Sequence, residues 1–182
     1  MSVRRRVVRR ILVLALTAIA LLLLVSLFLP GRYRVQRSIV INAKVEAIYP
    51  LVATPRRWPE WSAWSLEKFP TMKYTYEGPE SGVGAISRWD DPKLGDGEMK
   101  ITHADPAKGV WYELKTQHGA LVSSGTVEFQ RVGEGTRVFW SDEGELGRSP
   151  LRRVFGLMVD RMLGPGLEAG LAKLKQRVEQ VK

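Results

Sequence analysis

Residues Ser38 to Trp64 read SIVINAKVEAIYPLVATPRRWPEWSAW, and this stretch decides the fold. Ile39 and Ile41 alternate with Ser38 and Val40, and Val35 and Arg37 precede them in the same phase. β-branched residues at period two predict a strand with one buried face. Asn42 is suited to stop that strand and cap a helix, its side-chain oxygen accepting from a free N–H of the first turn. Val45, Ile48, Tyr49 and Val52 follow at helical spacing and predict a short amphipathic helix. Pro50 removes a hydrogen bond from that helix, so a kink or a tight last turn is expected. Pro55 restarts the chain, and Trp58, Trp61 and Trp64 recur at every third residue. Three tryptophans so placed are first of all a packing stripe. The same side chains also suit the rim of an apolar cavity.

Downstream, alternation predicts six more strands. Met72, Tyr74 and Tyr76 share one face of the second, and Ala85, Ser87 and Trp89 one face of the third. Met99, Ile101 and His103 share a face of the fourth; Val110, Tyr112 and Leu114 share one of the fifth. Ala120–Arg131 and Thr136–Leu146 are the sixth and seventh. The turns between them are rich in glycine, with Asp96-Gly97 a strong hairpin signal, so the strands form an antiparallel meander. Ser149-Pro150 reads as the cap and first residue of a long helix running to Gln180. Along it Val154, Met158 and Met162 make one stripe, and Leu167, Leu171, Leu174 and Val178 another. Gly164-Pro165-Gly166 is expected to break or kink it. An open sheet must cover its apolar face, and this helix is the only long element left to do so.

Upstream, Ile11–Leu29 is an apolar run ended by Pro30-Gly31. As a helix it would measure about 28 Å, close to the ~30 Å hydrocarbon core of a bilayer. It is longer than the apolar region of a signal peptide, and the Ala18/Ala20 pair lies too far inside it to mark cleavage. The expectation is a retained transmembrane helix, with residues 1–31 as basic segment plus anchor and 32–182 as the domain. Arg4, Arg5, Arg6, Arg9 and Arg10 precede the run and outnumber Arg32, Arg34 and Arg37 after it. The N-terminus is therefore expected in the cytoplasm and the domain outside it, at a bacterial inner membrane facing the periplasm.

The net charge of +9 would suggest nucleic acid, but those eight arginines carry nearly all of it. Ser38 to Lys182 holds 20 basic and 19 acidic residues, without the basic face that phosphates require. There is no cysteine, hence no disulfide or thiol nucleophile, and only His103 and His118 could supply imidazole. Neither sits in a nucleophile motif. Asp90-Asp91 and Asp142-Glu143-Glu145 lack calcium-loop spacing. No catalytic residue, metal site or cofactor is assigned.

Several segments together resemble one family. They are the strand followed by N-A-x-x-E-A-I, then PRRWPEWSAW, then YTYEGPESGVG at Tyr74–Gly84. GDGEMKI at Gly95–Ile101, TRVFW at Thr136–Trp140 and GPGLEAGLAKLK at Gly164–Lys175 complete the set. Over residues 35 to 180 the chain resembles the START-like SRPBCC superfamily, in its polyketide cyclase/dehydrase and lipid-transport branch; W-P-E-W is the most specific part. The resemblance implies an α+β helix-grip fold, a curved antiparallel sheet around a long C-terminal helix, with an apolar cavity between them. Trp61, Trp64, Ser87, Trp89, Met99, Ile101, His103, Tyr112, Leu114, Trp140, Met158 and Met162 are its expected lining. The expected function is binding of a hydrophobic small molecule or lipid by a membrane-anchored domain. Two alternatives stand beside it: a cyclase or dehydratase in which His103 or an acidic neighbour enolises a poly-keto chain, and a protein-interaction or stress-related module.

Overall fold

Burial alternates along Arg32–Ile41, with Val35 and Ile41 inside and Arg34, Gln36 and Ser38 outside, which makes this segment strand β1. It is one edge of a seven-stranded antiparallel sheet in a computed structural model that describes residues 3–180. The others are β2 (Lys73–Glu77), β3 (Ile86–Asp91), β4 (Gly95–Asp105), β5 (Gly109–Thr116), β6 (Leu121–Val132) and β7 (Gly135–Glu145). The spatial order is β1-β7-β6-β5-β4-β3-β2, so β2 to β7 form the expected meander and β1 closes against the last strand. Helix α3 (Pro150–Glu179) lies across the inner face. The α+β helix-grip architecture is therefore present.

Between β1 and β2 the chain forms helix α2 (Val45–Ala53), a 3-10 turn (Pro55–Glu60) and the Trp-rich loop. Asn42 does not cap α2. The cap position is Lys44, and the Asn42 N–H donates to Glu179 Oε1 at 2.7 Å, tying this corner to the end of α3. Pro50 is held inside the continuous α2. The helix's last carbonyls, which no later turn can satisfy, accept from indoles: Trp58 Nε1 donates to Val52 O at 2.8 Å and Trp61 Nε1 to Leu51 O at 3.0 Å. The spacing of these two tryptophans thus ends the helix and buries two rings at once.

Three expectations about the helices change. First, the N-terminal helix, α1, spans Val3–Ser26 and begins among the arginines, not at Ile11. The N–H groups of Leu27, Phe28 and Leu29 bond three residues back, a tightened exit from the helix. The helical part of the apolar run, Ile11 to Ser26, is about 24 Å long, short of the ~30 Å core. Among the described residues no helix is long and apolar enough to cross a membrane. Second, α3 does not break at Gly164-Pro165-Gly166; it is one helix from Pro150 to Glu179. Third, its buried stripe is Val159, Leu167, Leu171, Leu174 and Val178, while Met158 and Met162 are 56 % and 58 % exposed.

The glycines of α3 serve close approach. A Cβ on Gly164 would lie 2.2 Å from Arg37 Nη2, and one on Gly170 2.5 Å from the Trp140 ring. Through the first gap Arg37 reaches Asp160 at 2.9 and 3.0 Å and Glu168 at 2.5 Å, fastening β1 to α3. Substituting Gly170→Leu should destabilise by roughly 1–3 kcal/mol from overpacking, even though leucine is the better helix former. An unchanged or higher urea midpoint for that variant would mean that helix and sheet are not in close contact at Trp140.

Candidate functional site

The inner face divides into a closed part and a more open one. In the closed part Trp140 is surrounded edge-on by Trp61 at 5.0 Å, Trp58 at 5.8 Å and Trp64 at 5.9 Å, and Trp58 meets Tyr112 at 5.2 Å. Trp61, Trp140, Met99 and Tyr112 are buried in one core cluster, and Ile101 is buried opposite Tyr112 on the neighbouring strand. The tryptophan stripe is packing at Trp61 and half-buried only at Trp64. Ser87 is buried beside Tyr76 and Met99 on the neighbouring strands. The more open part carries Trp64, Tyr74, Tyr76, Trp89, Leu114 and Tyr33, all half-buried. Tyr74 donates to Trp64 O at 2.8 Å, and burial raises its pKa and that of Tyr76.

Three of the expected lining residues lie elsewhere. His103 is exposed and its ring sits 5.0 Å from Trp111. A β-bulge separates the pairs Ile101↔Tyr112 and His103↔Trp111, so Thr102 and His103 both point outward and the period-two reading slips there. Met158 and Met162 are on the uncovered side of α3, because the stripe through Val159 and Leu167 is the one turned to the sheet.

The inner face also carries a polar constellation. Asp142, only 5 % exposed, accepts from Tyr33 Oη at 2.9 Å and from Ser123 Oγ at 3.1 Å. The register explains the meeting: Val35 and Gly125 flank Asp142, and Tyr33 and Ser123 flank Gly144, across three adjacent strands. Two glycines make room for the rings. A Cβ on Gly144 would lie 2.6 Å from Tyr33, and one on Gly125 2.0 Å from Tyr112. The Tyr112 hydroxyl accepts from Trp140 Nε1 at 2.8 Å. Its own proton has no acceptor among the described residues.

Burial pushes the Asp142 carboxyl up to about 6, against the two hydroxyl hydrogen bonds that favour its ionised form. Burial, then the Asp142 charge, raises the pKa of both Tyr33 and Tyr112. The result is a carboxyl that exchanges its proton near neutrality beside two protonated phenols. Such a group can relay a proton at a carbon or oxygen of a carbonyl compound. Among the described residues no cluster of His, Cys, Asp and Glu has metal-holding geometry. Sequence reasoning left Asp142 as part of an acidic cluster and missed Tyr33 and Ser123. The alternation Val138, Trp140, Asp142 was the available signal.

A long helix gripped by a curved antiparallel sheet, with an aromatic inner face, defines the helix-grip class. Residues 32–179 match the family described as polyketide cyclase / dehydrase and lipid transport, and the chain belongs to it. No curated protein matches the chain. Norcoclaurine synthase from Thalictrum flavum, solved with dopamine and hydroxybenzaldehyde, is similar at 17% identity and TM-score 0.62, over 83% of this chain and 88% of that one. The di-domain ARO/CYC StfQ of the steffimycin biosynthetic pathway gives 14% and 0.61 over 82% of this chain and 51% of its own. DynU16, a putative protein of the dynemicin biosynthetic locus, gives 18% and 0.57 over 82% and 48%. The chain spans about half the length of these last two. At these identities the likeness establishes the fold.

Proposed function

We propose that this is a membrane-held domain that binds a hydrophobic small molecule or lipid against the inner face of the sheet. The observation that carries this reading is the set of half-buried Trp64, Tyr74, Tyr76, Trp89 and Leu114 on that face, beside a core that is otherwise closed. Aromatic walls with few polar groups are the usual make-up of small-molecule sites. The family's association with hydrophobic small molecules supports it. In this reading α1 is the holding element. Its shortfall against the hydrocarbon thickness is of a size that local bilayer thinning accommodates. The arginine excess ahead of Ile11 then keeps the N-terminus cytoplasmic and Ser38 to Lys182 outside. A C-terminal reporter active only in the cytoplasm would reverse that arrangement.

A second reading, a cyclase- or dehydratase-like enzyme, is favoured by Asp142 with Tyr33 and Tyr112. A carbonyl compound bound in the open part beside Tyr33 would present its α-proton to the neighbouring Asp142, which would accept it as the carboxylate. Of the expected pair, His103 or an acidic neighbour, it keeps the acid, since His103 is on the outer face.

The test uses the chain without Met1–Gly31, expected to melt cooperatively because the sheet and its covering helix are complete from Arg32. An environment-sensitive apolar probe should bind it saturably. Leu114→Trp, which enlarges a half-buried side chain between Met99 and Ser123 on the neighbouring strands, should weaken the probe at least about tenfold while stability changes by under roughly 1.5 kcal/mol. Absence of any saturable site in the folded domain would end the ligand-binding reading.

A further inference from the structure

Leu151, Phe155, Met158 and Met162 recur at i, i+4, i+7 and i+11 along α3, so they form one stripe over three turns. All four are exposed, Leu151 at 72 %. Nothing in the core accounts for them, since the buried stripe of the same helix runs through Val159 and Leu167. The stripe is also placed beside the end of α1. Arg153 Nη1 donates to Leu27 O at 2.6 Å, its Nε donates to Gly147 O at 3.0 Å, and Leu146 N donates to Gly31 O at 2.8 Å. The first turn of α3 is thus joined directly to the chain that leaves the apolar run, where Leu24, Leu27 and Phe28 are likewise exposed.

Charge selects the occupant. Arg148, Arg152 and Arg161 are exposed around the stripe, and among the described residues none has an ion-pair partner. The only acid between Arg148 and Leu163 is Asp160, which is paired with Arg37. An apolar stripe rimmed by unpaired arginines and continuous with an apolar helix end complements an anionic bilayer surface.

We infer that the N-terminal half of α3 is a second membrane-contacting element, which seats the domain on an anionic lipid surface beside α1. The inference rests on the membrane-held reading of the chain, and goes beyond it by naming the face of the folded domain that meets lipid. It also places Met158 and Met162 against the acyl region, where the flexible thioethers suit a fluid partner.

The absence of native cysteine makes the test clean. Met158→Cys in the full chain is labelled with an environment-sensitive fluorophore, and Lys100→Cys, on the outer face of β4, serves as the control. Both are added to phosphatidylcholine vesicles with or without phosphatidylglycerol, some carrying nitroxide-labelled lipid. Flotation reads membrane attachment; quenching and blue shift read contact at the label. The expected result is quenching at position 158 at least about threefold greater than at position 100, and strongest with phosphatidylglycerol. Replacing Arg148, Arg152 and Arg161 by Glu should remove that difference while the protein still floats. Flotation with equal, weak quenching at both positions would overturn the inference and leave the membrane-held reading intact. Failure to float would overturn both. Equal quenching without anionic lipid would overturn the choice of an anionic surface. A blue shift that needs no vesicles and grows with protein concentration would assign the stripe to a second copy, and would also overturn it.

Discussion

Trp140→Ala should lower stability by about 3–5 kcal/mol, a fall in Tm on the order of 10–15 °C for a domain of this size. Its ring is 1 % exposed, it meets three other tryptophans edge-on, and Gly170 of α3 rests against it. Truncation removes more than the area of one indole. It leaves Tyr112, which accepts the indole N–H, with a buried hydroxyl short of a partner, and it opens a void that the glycine on α3 cannot fill. Trp140→Phe should lose less, because one aromatic ring still fills part of the space, although the hydrogen bond to Tyr112 and part of the contact with α3 are gone. Chemical denaturation of the two variants against wild type measures the difference. A loss below about 1 kcal/mol for the alanine variant would show that the space around Trp140 is not close-packed, and would move the boundary between core and ligand space to the wrong side of this ring.

The second large effect is pH-dependent. The Asp142 carboxyl titrates at about 6 in the folded chain, against an ordinary value of 3.8. A folded pKa above the unfolded one means that the native state holds the proton more tightly. The contribution to stability is therefore complete below about pH 4 and is lost as pH rises through 6. The loss amounts to about 3 kcal/mol from a shift of this size. Asp142→Asn keeps an acceptor for Tyr33 and has no proton to lose. Its stability relative to wild type should rise by about 3 kcal/mol between pH 4 and pH 7.5. Subtracting the two unfolding profiles cancels every other titrating group. A difference that stays flat across that range would mean that Asp142 is solvated, and would remove the basis of the enzymatic reading.

The strands, and the meander of β2 to β7, were legible because period two holds over enough residues to fix the phase of nearly all of them. The pairing of β1 with β7 joins the two ends of the sheet's sequence, and no local pattern displays it. The long C-terminal helix was legible because nothing else could cover the sheet. What failed did so where the deciding partner is distant in the chain. α3 carries two apolar stripes, and which one is buried is decided by its packing on the sheet: Val159 lies in the core cluster with Leu167 and Leu171, and Met158 is exposed. Gly164, with Pro165 and Gly166, reads locally as a helix breaker; Arg37, which fills the space above Gly164, lies far away in the chain on β1. His103 was misplaced by one residue of bulge at Thr102, which no composition rule marks. Tyr33, Ser123 and Asp142 meet from three strands, so no single stretch displays the constellation.

The pairing of the first strand with the last has a consequence for how the chain acquires its structure. From Arg32 opposite Glu145 to Ile41 opposite Thr136, β1 has β7 as its single neighbour in the sheet, and its inner residues are covered by α3. During synthesis the meander β2 to β7 can assemble from local hairpins, whereas β1 waits with an open edge until the final third of the chain has emerged. Among the strand pairings, closure of that seam has the greatest loop length, and it is the step expected to limit the folding rate. An unpaired strand bearing Val35, Ile39 and Ile41 is also a template for another chain's edge. Aggregation during expression should accordingly track changes that delay the seam, Arg37 and its two carboxylate partners first among them, more closely than changes of equal stability cost elsewhere in the sheet.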